Sequence, residues 1–439
     1  MRIKTLSGVL FLWSCIVCSQ QQVDANQADV HTIKTQANAY LSTLTALGDF
    51  NGVVLLKKGE DMVLKNAYTM QADTTATLFV KETTQFDLRS IAKLFAKLSV
   101  LQLEAEGKFS REDKLSTWLP NFPNAEKIKV HHLMTNTSGL PRSFETATQA
   151  YLTMEPEEVV ALVSKASLEF EPGTSELYSN VGFQLLYYLI GKVTHSGFEA
   201  YIDRQFFQAL GMQHSGSHFY EGKQRKQDYA YGHYEKEGEL ICECAFPEDD
   251  MKMGNLFSTV TDLSRLLAYL DKTKHQDLLH ENRITHAGGT RGKRAYVERN
   301  FAEDYSIIFL SNYDGIPFEQ MIKDLRLILE NKEVVMPKAI HREAITVPAE
   351  RLRRFVGTYD LTDAGHIMLS IKLEEGQLYV YQKGKNNGVL FAESETVFFS
   401  DPTSKESIAF VKNAAGTYDM LIDFQGVQWK GTRVIDTPQ

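Results

Sequence analysis

Apolar residues recur every three to four positions through Val30, Ile33, Ala37, Tyr40, Leu41, Leu44 and Leu47, and Gly48 follows. That spacing predicts an amphipathic helix with a natural stop. Val53-Val54-Leu55-Leu56 and Met62-Val63-Leu64 then flank Gly59-Glu60-Asp61, which predicts a hairpin opening an antiparallel sheet. Ile91, Leu94, Phe95, Leu98, Leu101 and Leu103 form a second helical series ending at Gly107. From about 91 to 275 the pattern is mostly helical, including a run from Val181 to about Val193, with loops at Pro120 to Pro123 and at Glu171-Pro172-Gly173. Strand patterns return after His286, notably Tyr305 to Leu310, and a helix from about Phe318 to Leu329 follows. A sheet drawn from both ends of one unit, with helices between, is an α/β (α+β) plan.

Residues 331–349 change character: Asn331-Lys332-Glu333, Pro337 and Pro348 mark a linker. Beyond it lie short β-rich runs at His366 to Ile371, Leu378 to Gln382, Thr396 to Phe399, Ile408 to Val411 and Asp419 to Phe424. Such spacing predicts a small antiparallel barrel or sandwich whose aromatic residues form its core. The expected division is 1–19, 20–330, 331–349 and 350–439, and a chain of 439 residues is long enough for two domains.

The net charge of −9 argues against nucleic-acid binding through phosphate neutralisation. A basic start at Arg2 and Lys4, an apolar stretch from Leu6 to Val17 and small residues after it read as a secretory signal with cleavage after Ser19. Leu12-Trp13-Ser14-Cys15 also reads as an imperfect lipoprotein acylation box, which would give a membrane link through a lipid anchor. Cys242 and Cys244 stand too close in sequence for a common disulfide, and with His233 they make only three zinc ligands at irregular spacing. No metal and no cofactor is expected.

Candidate chemistry begins at Ser90-Ile-Ala-Lys93, where helical spacing makes an alcohol and an amine neighbours. A serine hydroxyl needs a base to take its proton, and a lysine serves only when its charge is disfavoured. The structural alternative is that Ser90 caps a core helix and Lys93 is solvated. Tyr178-Ser179-Asn180 precedes another helix; Tyr178 could relay protons while Asn180 bonds substrate and holds Lys93. The alternatives there are a half-buried aromatic and a helix N-cap. His286-Ala287-Gly288-Gly289 supplies small residues beside which a substrate can approach the backbone. His195-Ser-Gly197 and His214-Ser-Gly216 share the His-x-Gly spacing but read as helix stops.

The order Ser-x-x-Lys, Tyr-x-Asn, His-x-Gly resembles the serine beta-lactamase and penicillin-binding superfamily, in the branch of class C beta-lactamases, D,D-peptidases and related esterases. His132 to Leu140, Gly254 to Thr259 with Asp262, and Leu310-Ser311-Asn312 resemble further segments of that branch, with Asn136 standing where it carries histidine. The C-terminal unit looks like a lipocalin-like domain attached to some of its members. The resemblance implies Ser90 as acylated nucleophile, Lys93 as activating partner, Tyr178 as general acid/base, and the N–H groups of Ser90 and Gly289 as oxyanion hole. Asn180, His286, Gly288 and Gly289 would line the substrate site.

Three expectations follow from it. The chain is a secreted or periplasmic serine hydrolase acting on esters or peptide-like amides, its partner a small molecule or cell-wall peptide; the alternative is a non-catalytic binder of such ligands. Because only residues 255–285 separate Gly254 from His286, the sheet edge is trimmed or catalysis is impaired. If His286 contacts substrate, rates should change between about pH 5.5 and 7.5.

Overall fold

The computed structural model describes residues 29–71, 77–143, 154–217, 228–236, 238–243, 253–362, 366–424 and 427–434. The signal segment, the acylation box and Cys244 lie outside the described residues.

Helix α1 (29–46) leads into strands β1 (Gly52–Lys58) and β2 (Asp61–Tyr68), whose turn uses Gly59 at φ +57°. After β3 (Phe86–Asp87) and a tight turn at Arg89–Ile91 comes helix α2 (Ala92–Ala105). Helices α3 (Val130–Met134), α4 (Pro156–Val163), α5 (Asn180–Thr194) and α6 (Phe198–Ile202) follow. The predicted mostly helical region also contains strands β4 (Gly216–Ser217), β5 (Gly232–Lys236), β6 (Glu239–Glu243) and β7 (Leu256–Ser258), too short for periodicity to reveal. Helix α7 (Val260–Tyr269), strands β8 (Arg283–Thr290), β9 (Lys293–Asn300) and β10 (Tyr305–Ser311), and helix α8 (Phe318–Leu329) complete this part.

The main sheet runs β2-β1-β10-β9-β8, with β8 at its edge. Alternation along β1 sends Val53 and Leu55 into one core, with residues of α2, α5 and α7, and Val54 and Leu56 into another, with α1 and α8. Helices therefore cover both faces. The Leu-Ser-Asn segment is a fastening: Asn51 Nδ2 donates to Asn312 Oδ1 at 2.6 Å, and Ser311 Oγ donates to the Asn51 carbonyl at 2.7 Å.

Strand β9 escaped the sequence reading because its polar residues hide the alternation. Glu298, fully buried within it, receives Arg326 Nε at 3.1 and 3.0 Å and Arg326 Nη2 at 2.6 Å, and the Tyr305 hydroxyl at 3.1 Å. The carboxylate is thus paired from α8 and from β10, which ties helix to sheet.

The C-terminal part opens with α9 (Ala349–Leu352) and forms a closed barrel. Its strands are β11 (Gly357–Leu361), β12 (Ile367–Glu374), β13 (Gln377–Gln382), β14 (Lys385–Ala392), β15 (Val397–Phe399), β16 (Ser407–Lys412), β17 (Tyr418–Phe424) and β18 (Val427–Arg433). Phe355 stacks on Phe410 at 4.3 Å between centroids and meets Phe398 edge-on, so aromatic rings fill the interior. The end of the expected linker is docked: Ile345 bridges the Ala392 backbone, and Val347 joins the barrel core. Lys405 pairs with Asp49, joining the barrel to the region before β1.

Arg326→Met should strand the buried Glu298 carboxylate and destabilise the fold by about 3–5 kcal/mol. Denaturant unfolding reads this, and the Glu298→Gln/Arg326→Met pair should recover part of the loss.

Candidate active site

Lys93, three residues on, and Tyr178, far along the chain, meet at Ser90. The Lys93 ammonium donates to Ser90 Oγ at 3.0 Å, and the Tyr178 hydroxyl donates to the same atom at 2.8 Å. Ser90 is half-buried, in the turn that leads into α2, while Lys93 is 5% exposed inside the first turn of that helix. Arg89, immediately before Ser90, holds a left-handed φ of +50°, a conformation that non-glycine residues adopt at a cost. No sequence signal pointed to it.

Burial is the main cause that lowers Lys93, and the charges of Arg89, Lys97 and Arg142 lower it further, to about 7. A large part of the population thus carries a neutral amine at neutral pH. The Tyr178 phenol is pushed up by burial, partly offset by its bond to Ser90 and by Arg142. Lys93 Nζ lies 5.1 Å from the Tyr178 ring centroid, and the Arg142 guanidinium lies 5.5 Å from the same ring.

Tyr178 is positioned by its chain neighbours. Asn136 accepts on both sides of it, the carbonyl from Leu177 N at 2.9 Å and the side-chain oxygen from Ser179 N at 3.1 Å. Asn136 itself sits at φ +59°, which asparagine tolerates better than most residues. Ser179, not Asn180, caps α5, accepting from Gly182 N at 2.8 Å. The backbone N–H of Asn180 donates to the Arg142 carbonyl at 3.0 Å. The expected hold of Asn180 on Lys93 is absent among the described residues, because the ammonium is turned to Ser90.

Strand β8 brings up the remaining candidates. A Cβ on Gly288 would lie 2.3 Å from the Leu88 carbonyl oxygen and 3.1 Å from Ser90 N, so only glycine lets the strand press against the serine turn. Gly289 follows beside it, paired in register with Arg294 of β9. His286 lies on the same strand, half-buried, with Nδ1 2.9 Å from the Ala287 carbonyl. Desolvation, then the Lys97 charge and more weakly that of Lys93, push its imidazole down to about 3. It is neutral across the range where a titration was expected, which moves any limb near pH 7 from His286 to Lys93.

Other sequence candidates are structural. His195 ends α5 in a left-handed cap at φ +52°. Asp262 accepts from His214 N at 2.6 Å and Ser215 Oγ at 3.0 Å, and Thr259 caps α7. Cys242 is disulfide-bonded, which removes a thiolate from the zinc set, and His233 is buried with Nε2 3.0 Å from Thr77 Oγ1.

A Beta-lactamase family model matches residues 39–303. The chain belongs to the beta-lactamase family. Within that family and its neighbours it is similar to Penicillin-binding protein 4* of Bacillus subtilis (strain 168), at 26% identity over 85% of this chain and 94% of that one. Its fold is similar to that of an octameric penicillin-binding protein homologue from Pyrococcus abyssi, with TM-score 0.58, 21% identity and coverage of 89% and 97%. A D-amino acid amidase from Ochrobactrum anthropi SV3 aligns with TM-score 0.59 at 16% identity, covering 68% of this chain and 99% of that one. The family's mixed α/β architecture with antiparallel sheets is present here, followed by the closed barrel.

Gly288→Ala should force β8 away from the serine turn. The expected outcome is at least tenfold slower modification of Ser90 by an acylating or phosphonylating probe, with a folded far-UV spectrum; unchanged labelling would show that the strand yields without consequence.

Proposed function

We propose that this protein is an extracytoplasmic serine hydrolase that forms an acyl-enzyme on Ser90 and acts on esters or peptide-like amides. The single observation that carries the reading is the double approach to one oxygen: Lys93 Nζ at 3.0 Å and Tyr178 Oη at 2.8 Å from Ser90 Oγ. In the deprotonated fraction, the Lys93 amine accepts the Ser90 proton as the oxygen attacks the carbonyl carbon. The backbone N–H groups of Ser90 and Gly289 stabilise the oxyanion, and Tyr178 passes a proton to the leaving group. Water then takes the leaving group's place and releases the acyl chain. Asn180, His286 and the Gly288-Gly289 edge line the substrate side.

Two further parts of the reading stand with it. The relative named as a penicillin-binding protein supports cell-wall peptides or related amides as substrates and a location outside the cytoplasm. Among the described residues no helix is long and apolar enough to cross a membrane. The proposed division is a hydrolase unit over 20–330, a connection over 331–349 and a lipocalin-like unit over 350–439, supported by a barrel with its own aromatic core.

A fluorophosphonate probe should label the protein at Ser90, and Ser90→Ala should abolish labelling. Silence of the wild type toward both fluorophosphonate and penicillin would favour a non-catalytic binder. Because Lys93 is lowered to about 7, its reactive amine is lost as pH falls through that value. The labelling rate should therefore rise with pH through about 7, and His286→Gln should leave that limb in place; a limb that disappears in this variant would return the titration to His286.

A further inference from the structure

Gly288 limits how near β8 can come to the serine turn, but a steric limit does not hold two segments together. An attraction is found one turn later. Strands β8 and β9 are joined through Thr290 and Lys293, which pair in register, and the Lys293 ammonium donates to the Asp87 carboxylate. Asp87 lies in β3, three residues before Ser90. The hairpin therefore meets the serine segment at two places, Gly288 against Leu88 and Ser90, and Lys293 on Asp87.

The pair is enclosed. The Asp87 side chain is fully buried and that of Lys293 is 15% exposed. Tyr229 closes over the ammonium, with its hydroxyl at 3.4 Å and its ring centroid at 5.5 Å, and a Cβ on Gly232 of β5 would lie 3.1 Å from the lysine Cγ. The turn that carries Lys293 is braced as well. Arg294 Nη1 donates to the Thr290 and Lys293 carbonyls at 2.7 and 2.9 Å, Gly292 N donates to the Asp314 carboxylate at 2.8 Å, and His233 N donates to the Gly292 carbonyl at 3.1 Å. A turn bound at so many points moves as one piece, so the pull of a charge-assisted bond on Lys293 is passed to Gly289.

We propose that Lys293 is a positioning residue, whose pairing with Asp87 fixes the spacing between the Ser90 and Gly289 N–H groups and so the fit of the oxyanion hole. The inference rests on the acyl-enzyme reading above and adds how its two donors are held apart at one distance. Such donors must stand about 2.7–3.1 Å from the developing oxyanion. A misplacement of about 1 Å costs on the order of 100-fold in rate. Lys293 acts through the turn, and Gly289 delivers the hydrogen bond.

The test compares a p-nitrophenyl ester with its thionoester, identical except that sulfur replaces the carbonyl oxygen on which the negative charge develops. The quantity read is the ratio of their kcat/KM values, which cancels any general change in Ser90 reactivity. Lys293→Met alone strands the buried Asp87 carboxylate and threatens the fold, so the deciding variant is Asp87→Asn/Lys293→Met, which leaves no unpaired charge. Its folding is checked by thermal unfolding. The oxygen ester should slow by about tenfold or more and the thionoester much less, narrowing the preference for oxygen by about fivefold or more, while Lys293→Arg, which keeps the ion pair, should keep most of that preference. A preference unchanged within about twofold in the folded double variant, even if both esters slow together, would overturn the proposal and leave the pair as a tie within the fold. A wild type that turns over neither ester and resists the fluorophosphonate would instead remove the Ser90 reading, and this one with it.

Discussion

The arrangement around Ser90 depends on one physical constraint: an ammonium group has been taken out of water beside a hydroxyl. Removing Lys93 from solvent disfavours its charge, and three neighbouring cations press in the same direction. A solvated lysine would stay protonated near neutral pH and could only donate to the serine. A buried one, lowered to about 7, can also accept from it. The protonation state of this amine is therefore set by how the fold removes it from water and surrounds it with cations.

The surrounding structure answers in layers. Phe183 of α5 closes over the lysine, and that helix starts at Ser179, whose own placement comes from Asn136 and the Pro141 carbonyl. The same fastening aims Tyr178, since both peptide N–H groups flanking it are bound to Asn136. On the far side, β8 reaches the serine turn because Gly288 has no side chain to hold it off. That strand is in turn held by β9, and β9 by β10 and by the Glu298–Arg326 pairing to α8. Local chemistry thus rests on distant packing.

Periodicity made most of the architecture legible before any coordinates. The long helices and the first hairpin repeat or alternate because each buries a regular face, and the strand Tyr305 to Leu310 stands out as a mostly apolar run buried on both faces. What escaped were β9, with Glu298 buried inside it, and the strands β4 to β7, too brief for periodicity to reveal. In the barrel, β11, β14 and β18 were missed for a similar reason, since their exposed or polar positions blur the alternation. Val347, near the end of the expected linker, packs on the barrel.

By itself, the order of residues determined the family resemblance and the candidate groups Ser90, Lys93, Tyr178, Asn180, His286, Gly288 and Gly289, because side-chain chemistry and short spacings are written directly in it. Only tertiary structure decided what each group meets. The meeting of Tyr178 with Ser90, the approach of Gly288 to the serine turn and the neutral state of His286 arise from contacts between segments remote in the chain. Protonation follows burial and neighbouring charge, and both are properties of the folded arrangement that no local pattern contains.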